Sequence, residues 1–185
     1  IGPHFLKASV GFGGSCFKKD ILNLVYLCKY YGLVEMSEYW HQVVKINDYQ
    51  KDRFAQKIIN HFGGDLTGKK IAVLGWAFKA NTGDTRESAA ISVTTQLINA
   101  GFNISVFDPQ VSKNTILEDL KCSLKDEIVY EQKKEKIEIL SELSDLKVNF
   151  DAFVIITEWE IFKKLDWKNI AKEKPVFDGR NILDL

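Results

Sequence analysis

Apolar residues fall along the chain in two textures, helical spacing first and short strand-like runs later. After a glycine-rich stretch at 11–20, the run Ile21-Leu22-Asn23-Leu24-Val25-Tyr26-Leu27-Cys28 predicts a helix over 17–31, stopped by Gly32. A longer helix is expected over 35–62, closed by Gly63-Gly64. Its apolar positions Trp40, Val43, Phe54, Ile58 and Phe62 recur at spacings of three and four, and Asn47 and Gln50 or Lys51 interrupt the stripe. So long and aromatic a stripe is more than one small domain needs to bury. It reads equally as a subunit or domain interface, with Asn47 as a buried polar specificity device, and as a helix packed within its own chain.

From residue 69 the texture changes. Runs at 70–74, 103–107 and 150–157 predict buried parallel strands, with helices at 88–100 and 166–172 and a last strand at 175–177. Residues 112–149 are charge-rich, with helical stretches at 112–120 and 141–146 and a solvated segment at 133–136. The alternation Lys136-Ile137-Glu138-Ile139 suggests an edge strand. The fold class is therefore α/β: a doubly wound, mostly parallel Rossmann-like sheet over 66–185, preceded by a long-helix dimerisation arm over 1–65.

Composition narrows the partners. The formal net charge is zero, so no broad field attracts nucleic acid or an anionic membrane, and any phosphate binding must be local. There is no apolar run near the length of a membrane span and no signal peptide, which makes cytoplasm the default. Three cysteines at unrelated spacings argue for a reducing compartment rather than a disulfide framework. No C-x-x-C or paired-His motif suggests a metal. The chain opens at Ile1 without a methionine and reads as a piece of something longer.

The stretch at 11–20, Gly-Phe-Gly-Gly-Ser-Cys-Phe-Lys-Lys-Asp, carries the candidate chemistry. Its glycines let the backbone turn tightly and approach a ligand. Cys16 falls in the first turn of the following helix, where unpaired N–H groups and the helix dipole favour an anion. Lys18 and Lys19 add positive charge, and such a setting favours the nucleophilic thiolate. The opposing reading is a small buried hydrophobe after an ordinary loop. A dinucleotide fingerprint is not matched, because Cys16 stands where G-x-G-x-x-G needs its third glycine. Cys28 keeps helical spacing and reads as core, and Cys122 has no companions.

Ligands of doubly wound sheets sit beyond the carboxyl ends of the strands. Lys79 follows the first strand, Arg86 precedes the helix at 88–100, and Arg180 follows the last strand. Converging with that helix N-terminus, they would form a local pyrophosphate site; the alternative is three solvated surface cations. No glycine-rich fingerprint follows Gly75, which argues against a nicotinamide dinucleotide at that edge.

With these motifs in view, 11–20 resembles the catalytic-cysteine motif of the UDP-glucose 6-dehydrogenases. The segment 75–88 resembles their Gly-x-Ala-Phe-Lys…Asp-Thr-Arg-Glu-Ser motif. Asn47-Asp48-Tyr49-Gln50, Thr157-Glu158-Trp159 and Phe177-Asp178-Gly179-Arg180 extend the likeness over nearly the whole chain. GDP-mannose and UDP-N-acetylmannosamine dehydrogenases are the weaker match. The resemblance implies an NAD-dependent, four-electron oxidation of UDP-glucose to UDP-glucuronate through a thiohemiacetal and a thioester on Cys16. It also implies a homodimer or higher homo-oligomer through the 35–62 helix.

By the same resemblance Cys16, Lys19 and Asp20 are catalytic. Phe5, Lys7, Ala8, Ser9, Val10, Gly11, Phe12 and Gly13 would wrap the sugar and nucleotide, and Phe78, Lys79 and Arg180 would hold the UDP. Cys16, Phe17, Lys18, Lys19 and Arg86 would face NAD. The family's N-terminal NAD-binding domain, and the arginine it places just before Ile1, lie outside this sequence, so the stretch by itself is expected not to turn over. The competing reading is a non-catalytic nucleotide-sugar-binding or oligomerisation module. That reading leaves Cys16 beside Lys19 and Asp20 unexplained.

Overall fold

The structure is a computed structural model that describes residues 2–3, 6–125, 127–147 and 149–184. Phe5, expected in the substrate site, lies outside the described residues. Two helices, α1 (Phe17–Tyr30) and α2 (Val34–Phe62), form a hairpin. Ile21 and Val25 of α1 pack on Val44, with Trp40 and Val43 alongside. The buried Ser37 hydroxyl donates to the Val25 carbonyl at 3.0 Å and ties the two helices. The second half of α2 leans on the remainder of the molecule: Ala55 and Ile58 are fully buried in the main core, and Phe54 and Phe62 pack against it.

Of the two readings left open for the stripe, the packing seen here is the intrachain one: Ile58 is buried, and Trp40, Val43 and Phe54 pack half-buried against clusters of the same chain. Asn47 is likewise engaged inside the chain, as described below. The helix winds its apolar residues past two neighbours in turn, α1 and then the sheet domain, so one sequence stripe serves two intrachain contacts.

The remaining elements are β1 (Lys70–Leu74), α3 (Ala89–Ala100), β2 (Asn103–Phe107), α4 (Lys113–Leu124), α5 (Glu127–Lys133), β3 (Ile137–Ile139), β4 (Ala152–Ile155), α6 (Glu160–Lys163), α7 (Trp167–Ala171) and β5 (Val176–Asp178). Among the described residues the sheet is fully parallel, in the order β3-β2-β1-β4-β5. β1 and β4 are apolar and buried almost end to end, as strands covered on both faces must be. The chain winds outward from β1 through β2 to β3, then returns to β4 on the other side of β1. The switch point of the winding therefore lies at the carboxyl ends of β1 and β4.

Asp108 stitches that edge together. Its carboxylate accepts from the Trp76 and Ala77 amides at 2.7 and 3.1 Å, from the Trp159 indole at 3.0 Å, and from the Gln110 and Val111 amides. Nothing in the local sequence marks it beyond the end of a strand. Elsewhere the expected and observed elements agree closely, with three differences. The strand read over 150–157 pairs only over Ala152–Ile155, where β1 and β5 flank it. The helix expected at 141–146 is a 3-10 turn at Leu143–Lys147, and the short helices α5 and α6 were not expected. No helix among the described residues is long and apolar enough to cross a membrane.

Candidate active site

The cysteine loop is laid across the switch-point edge and held from three sides. Val10 is buried in the main core. Next in the chain, Phe12 is gripped by one side chain: its amide donates to Asn47 Oδ1 at 2.7 Å and its carbonyl accepts from Asn47 Nδ2 at 3.1 Å. This pairing mimics a strand contact and satisfies both polar ends of a buried amide.

At Gly13 the loop presses on the turn before α3. A Cβ there would come within 2.7 Å of the Glu87 carbonyl oxygen and 2.9 Å of Phe78 Cβ, so only glycine fits. The Gly14 amide then donates to the Arg86 carbonyl at 2.8 Å. The Phe12 and Phe17 rings meet edge to face, 4.6 Å apart, and close the loop on itself.

Cys16 is the N-cap residue of α1 and is exposed. Its carbonyl accepts from the Asp20 amide at 2.8 Å, the first helical bond. Its sulfur lies 3.6 Å from the Ser15 hydroxyl. Helical spacing puts Lys19 and Asp20, three and four residues on, over the same face as the thiol, and both are exposed. Lys18 points elsewhere, to the Glu87 carboxylate at 2.8 Å.

The opposite wall is the segment after β1. The Ala77 carbonyl accepts from the buried Thr157 hydroxyl at 2.6 Å, and the Phe78 amide donates to the Asp84 carbonyl at 3.0 Å. The Lys79 ammonium lies 5.4 Å over the Phe78 ring. The next amide, Ala80, donates to Glu158 Oε1 at 3.3 Å, while Glu158 Oε2 pairs with Arg180 at 2.8 Å. Glu158 thus links the Lys79 turn to Arg180, whose guanidinium is largely enclosed.

Arg86 takes a different position. It forks onto Asp84 with bonds of 2.9 and 2.7 Å, and its side chain stays 68% exposed. That hydrogen-bonded pair holds the Asp84 carboxyl below its ordinary range and raises the guanidinium, to which negative charge on Cys16 adds a smaller share. Of the three cations expected to converge, Arg180 is tied through Glu158 to the backbone turn that carries Lys79, the Lys79 ammonium itself is exposed over Phe78, and Arg86 sits with the cysteine loop.

Two depressions flank the loop. A cavity of about 360 Å³ is lined by Ala8, Ser9 and Val10 together with Gln50, Arg53, Phe54 and Lys57 of α2, and by Asp178, Gly179 and Asn181 after β5. The sequence reading missed the α2 side of it. Its signal was the spacing of Gln50, Arg53 and Lys57, three and four apart beside an apolar stripe. A larger open groove of about 960 Å³ between α2 and α3 is lined by Lys18, Lys51, Arg86 and Ser88 among others, but not by Cys16, Lys79 or Arg180.

The loop thus holds an exposed thiol at the start of α1, seated by Asn47 and by the turn before α3 beside a parallel α/β sheet. Comparison with known proteins supplies the family. Residues 1–49 match the central domain, and residues 72–185 the UDP-binding domain, of the UDP-glucose/GDP-mannose dehydrogenase family. This chain belongs to that family. It is 46% identical, over its whole length, to UDP-glucose 6-dehydrogenase 1 of Arabidopsis thaliana and 45% identical to UDP-glucose 6-dehydrogenase 2 of Oryza sativa subsp. japonica. It spans 41% and 40% of those proteins respectively. Among solved structures, a UDP-glucose dehydrogenase from Pyrobaculum islandicum superposes with a TM-score of 0.73 at 31% identity, over 98% of this chain and 37% of that one.

Proposed function

We propose that this chain is the cysteine-bearing and UDP-binding part of an NAD-dependent UDP-glucose 6-dehydrogenase that makes UDP-glucuronate in the cytoplasm. Residues 1–65 form the cysteine loop and central helices, and 66–185 the UDP-sugar-binding domain. The observation that carries this reading is the exposed Cys16 thiol at the start of α1, with Lys19 and Asp20 one turn on over the same face.

Four electrons leave the sugar C6 carbon in all. NAD, when bound, would supply the hydride acceptor for both oxidations, the first of which takes the alcohol to an aldehyde with release of a proton. Cys16 Sγ adds to the aldehyde carbon, forming a C–S bond, and the new oxygen takes up a proton to give the thiohemiacetal. Loss of the second hydride and of the hydroxyl proton yields a thioester. Water attacks its carbonyl, the C–S bond breaks, and the thiolate departs with the carboxylate product formed. A thiolate serves as both nucleophile and leaving group, which a serine alkoxide does not. Lys19 donates toward the oxygen that becomes anionic, and Asp20 orders the hydrolytic water and takes its proton.

Lys79 and Arg180 hold the diphosphate, with Phe78 against the uridine, and the 7–13 stretch encloses the sugar. On the cofactor side the residues present suit an anionic dinucleotide. Arg86 is exposed beside Cys16, and the Phe17 ring is 45% exposed on the next residue. In the full-length protein, Cys16→Ser should lower turnover on the order of 10⁴-fold or more while UDP-glucose still binds. A Cys16→Ser enzyme with wild-type turnover would sink the reading.

A homo-oligomer through the α1–α2 hairpin belongs to the same proposal, on a face of α2 other than the Trp40–Ile58 stripe. Tyr26, Tyr30, Met36, Tyr39, Ile46 and Tyr49 are all more than half exposed on the outer faces of α1 and α2. Such a concentration of apolar area marks a covered surface.

A further inference from the structure

Among the described residues Lys51 is the one buried lysine, at 4% exposure, and the chemistry above does not use it. It lies on α2 one turn after Asn47. Its aliphatic stem runs beneath Gly11, where a Cβ would meet Lys51 Cγ at 3.3 Å and Asn47 Oδ1 at 2.8 Å. Its ammonium reaches the Glu87 carbonyl at 3.5 Å. That oxygen is the one against which Gly13 rests. Glu87 itself holds a left-handed backbone, with φ +56°, at which a side chain other than glycine is strained. Its carboxylate in turn fixes Lys18, two residues from the thiol.

We propose that Lys51 is a positioning residue for the cysteine loop. Its stem floors the loop at Gly11, and its ammonium holds the strained Glu87 carbonyl in the place that seats Gly13. With Asn47 it forms a two-pronged clamp from a single helix face, and the clamp sets where Cys16 caps α1. A lysine kept only for packing would be replaced without loss by methionine, because an enclosed ammonium with one carbonyl partner costs desolvation that an apolar chain avoids. The inference rests on Cys16 being the nucleophile.

The test uses the full-length protein and its Lys51→Met and Lys51→Arg variants. Three readouts are taken: iodoacetamide labelling of Cys16 at neutral pH by peptide mass mapping, kcat and KM for UDP-glucose, and the melting temperature. Lys51→Met should melt no lower than wild type, yet label Cys16 and turn over about tenfold to a hundredfold more slowly, the scale expected for a misplacement near 1 Å. KM should move far less than kcat, and Lys51→Arg should restore most of both rates.

Gly13→Ala pushes the same contact apart from the other side and should slow labelling in the same way. Wild-type labelling and kcat in Lys51→Met overturns the proposal. If no Lys51 variant folds, wild-type labelling in Gly13→Ala overturns it. Wild-type protein in which Cys16 does not label, or a Cys16→Ser enzyme that still turns over, refutes the catalytic reading instead.

Discussion

Lys51 also shows how a single buried group writes itself into the stability of the whole chain. Burial lowers its pKa from the ordinary 10.5, opposed by the charges of Asp48, Glu87 and Asp52 and reinforced by that of Lys18. Below its folded-state pKa the side chain is charged in both folded and unfolded chains, and the folded chain bears the desolvation cost. Above 10.5 it is neutral in both, and that cost is gone. Between the two values the unfolded chain binds the extra proton, so stability contributed at this position rises with pH. Replacing Lys51 by methionine should therefore raise the melting temperature at neutral pH, and the gain should shrink as pH approaches 10.5. Melting curves of the two proteins at matched pH values check this; a gain that grew with pH would reverse the argument.

At the scale of elements, Lys79 and Arg180 should each contribute a charge-assisted hydrogen bond to a bound diphosphate, roughly 1.5–3 kcal/mol apiece. Each alanine variant should then weaken UDP binding by about tenfold to a hundredfold. Glu158→Gln should weaken it as well, because an amide NH2 in place of Oε2 no longer pairs with and orients the Arg180 guanidinium, while Oε1 can still accept from Ala80. Calorimetry with UDP on the folded variants decides, and unchanged affinity in both alanine proteins would remove the pair from the site.

Much of this architecture was legible in order of sequence. Helical period gave α1 and α2 to within a residue or two, and compact β-branched runs gave β1 and β2 at their observed bounds. Cys16 and Lys19 were read together from their place at an expected helix start, and Asp20 entered through the family resemblance alone. Glu158, Asp108 and Lys51 were not legible, because their partners lie 78, 32 and 36 residues away in sequence, across the sheet edge. Helices α5 and α6, of seven and four residues, are too short for a repeating apolar stripe to announce them. The partner of the α2 stripe stayed open for a related reason: periodicity tells that a face is covered, and not by what.

For the molecule as a whole, the exposed face of the α1–α2 hairpin is the surface on which the proposed oligomer would form. Tyr39, Ile46 and Tyr49 are 64%, 56% and 58% exposed, on a stripe separate from the buried Val44, Asn47 and Lys51. Tyr26 and Tyr30 continue the apolar surface on α1, their rings stacked 6.4 Å apart. Leaving such area in water costs about 25 cal/mol per Å², and a stable contact needs roughly 800 Å² from each partner. A helix hairpin presenting one long face meets its own copy most simply across a two-fold axis. The full-length protein should accordingly sediment as a dimer or an even multiple at micromolar concentration. Tyr39→Glu with Ile46→Glu should shift it toward monomer while the helix content stays. Trp40→Glu should behave differently, loosening the hairpin itself, because Trp40 packs against Ile21, Val25 and Val44 within the chain. Sedimentation equilibrium with circular dichroism separates the cases. A Tyr39→Glu, Ile46→Glu protein that keeps its oligomer but loses turnover would show that another part of its own chain covers this face, since this sequence spans only 41% of its relatives' length.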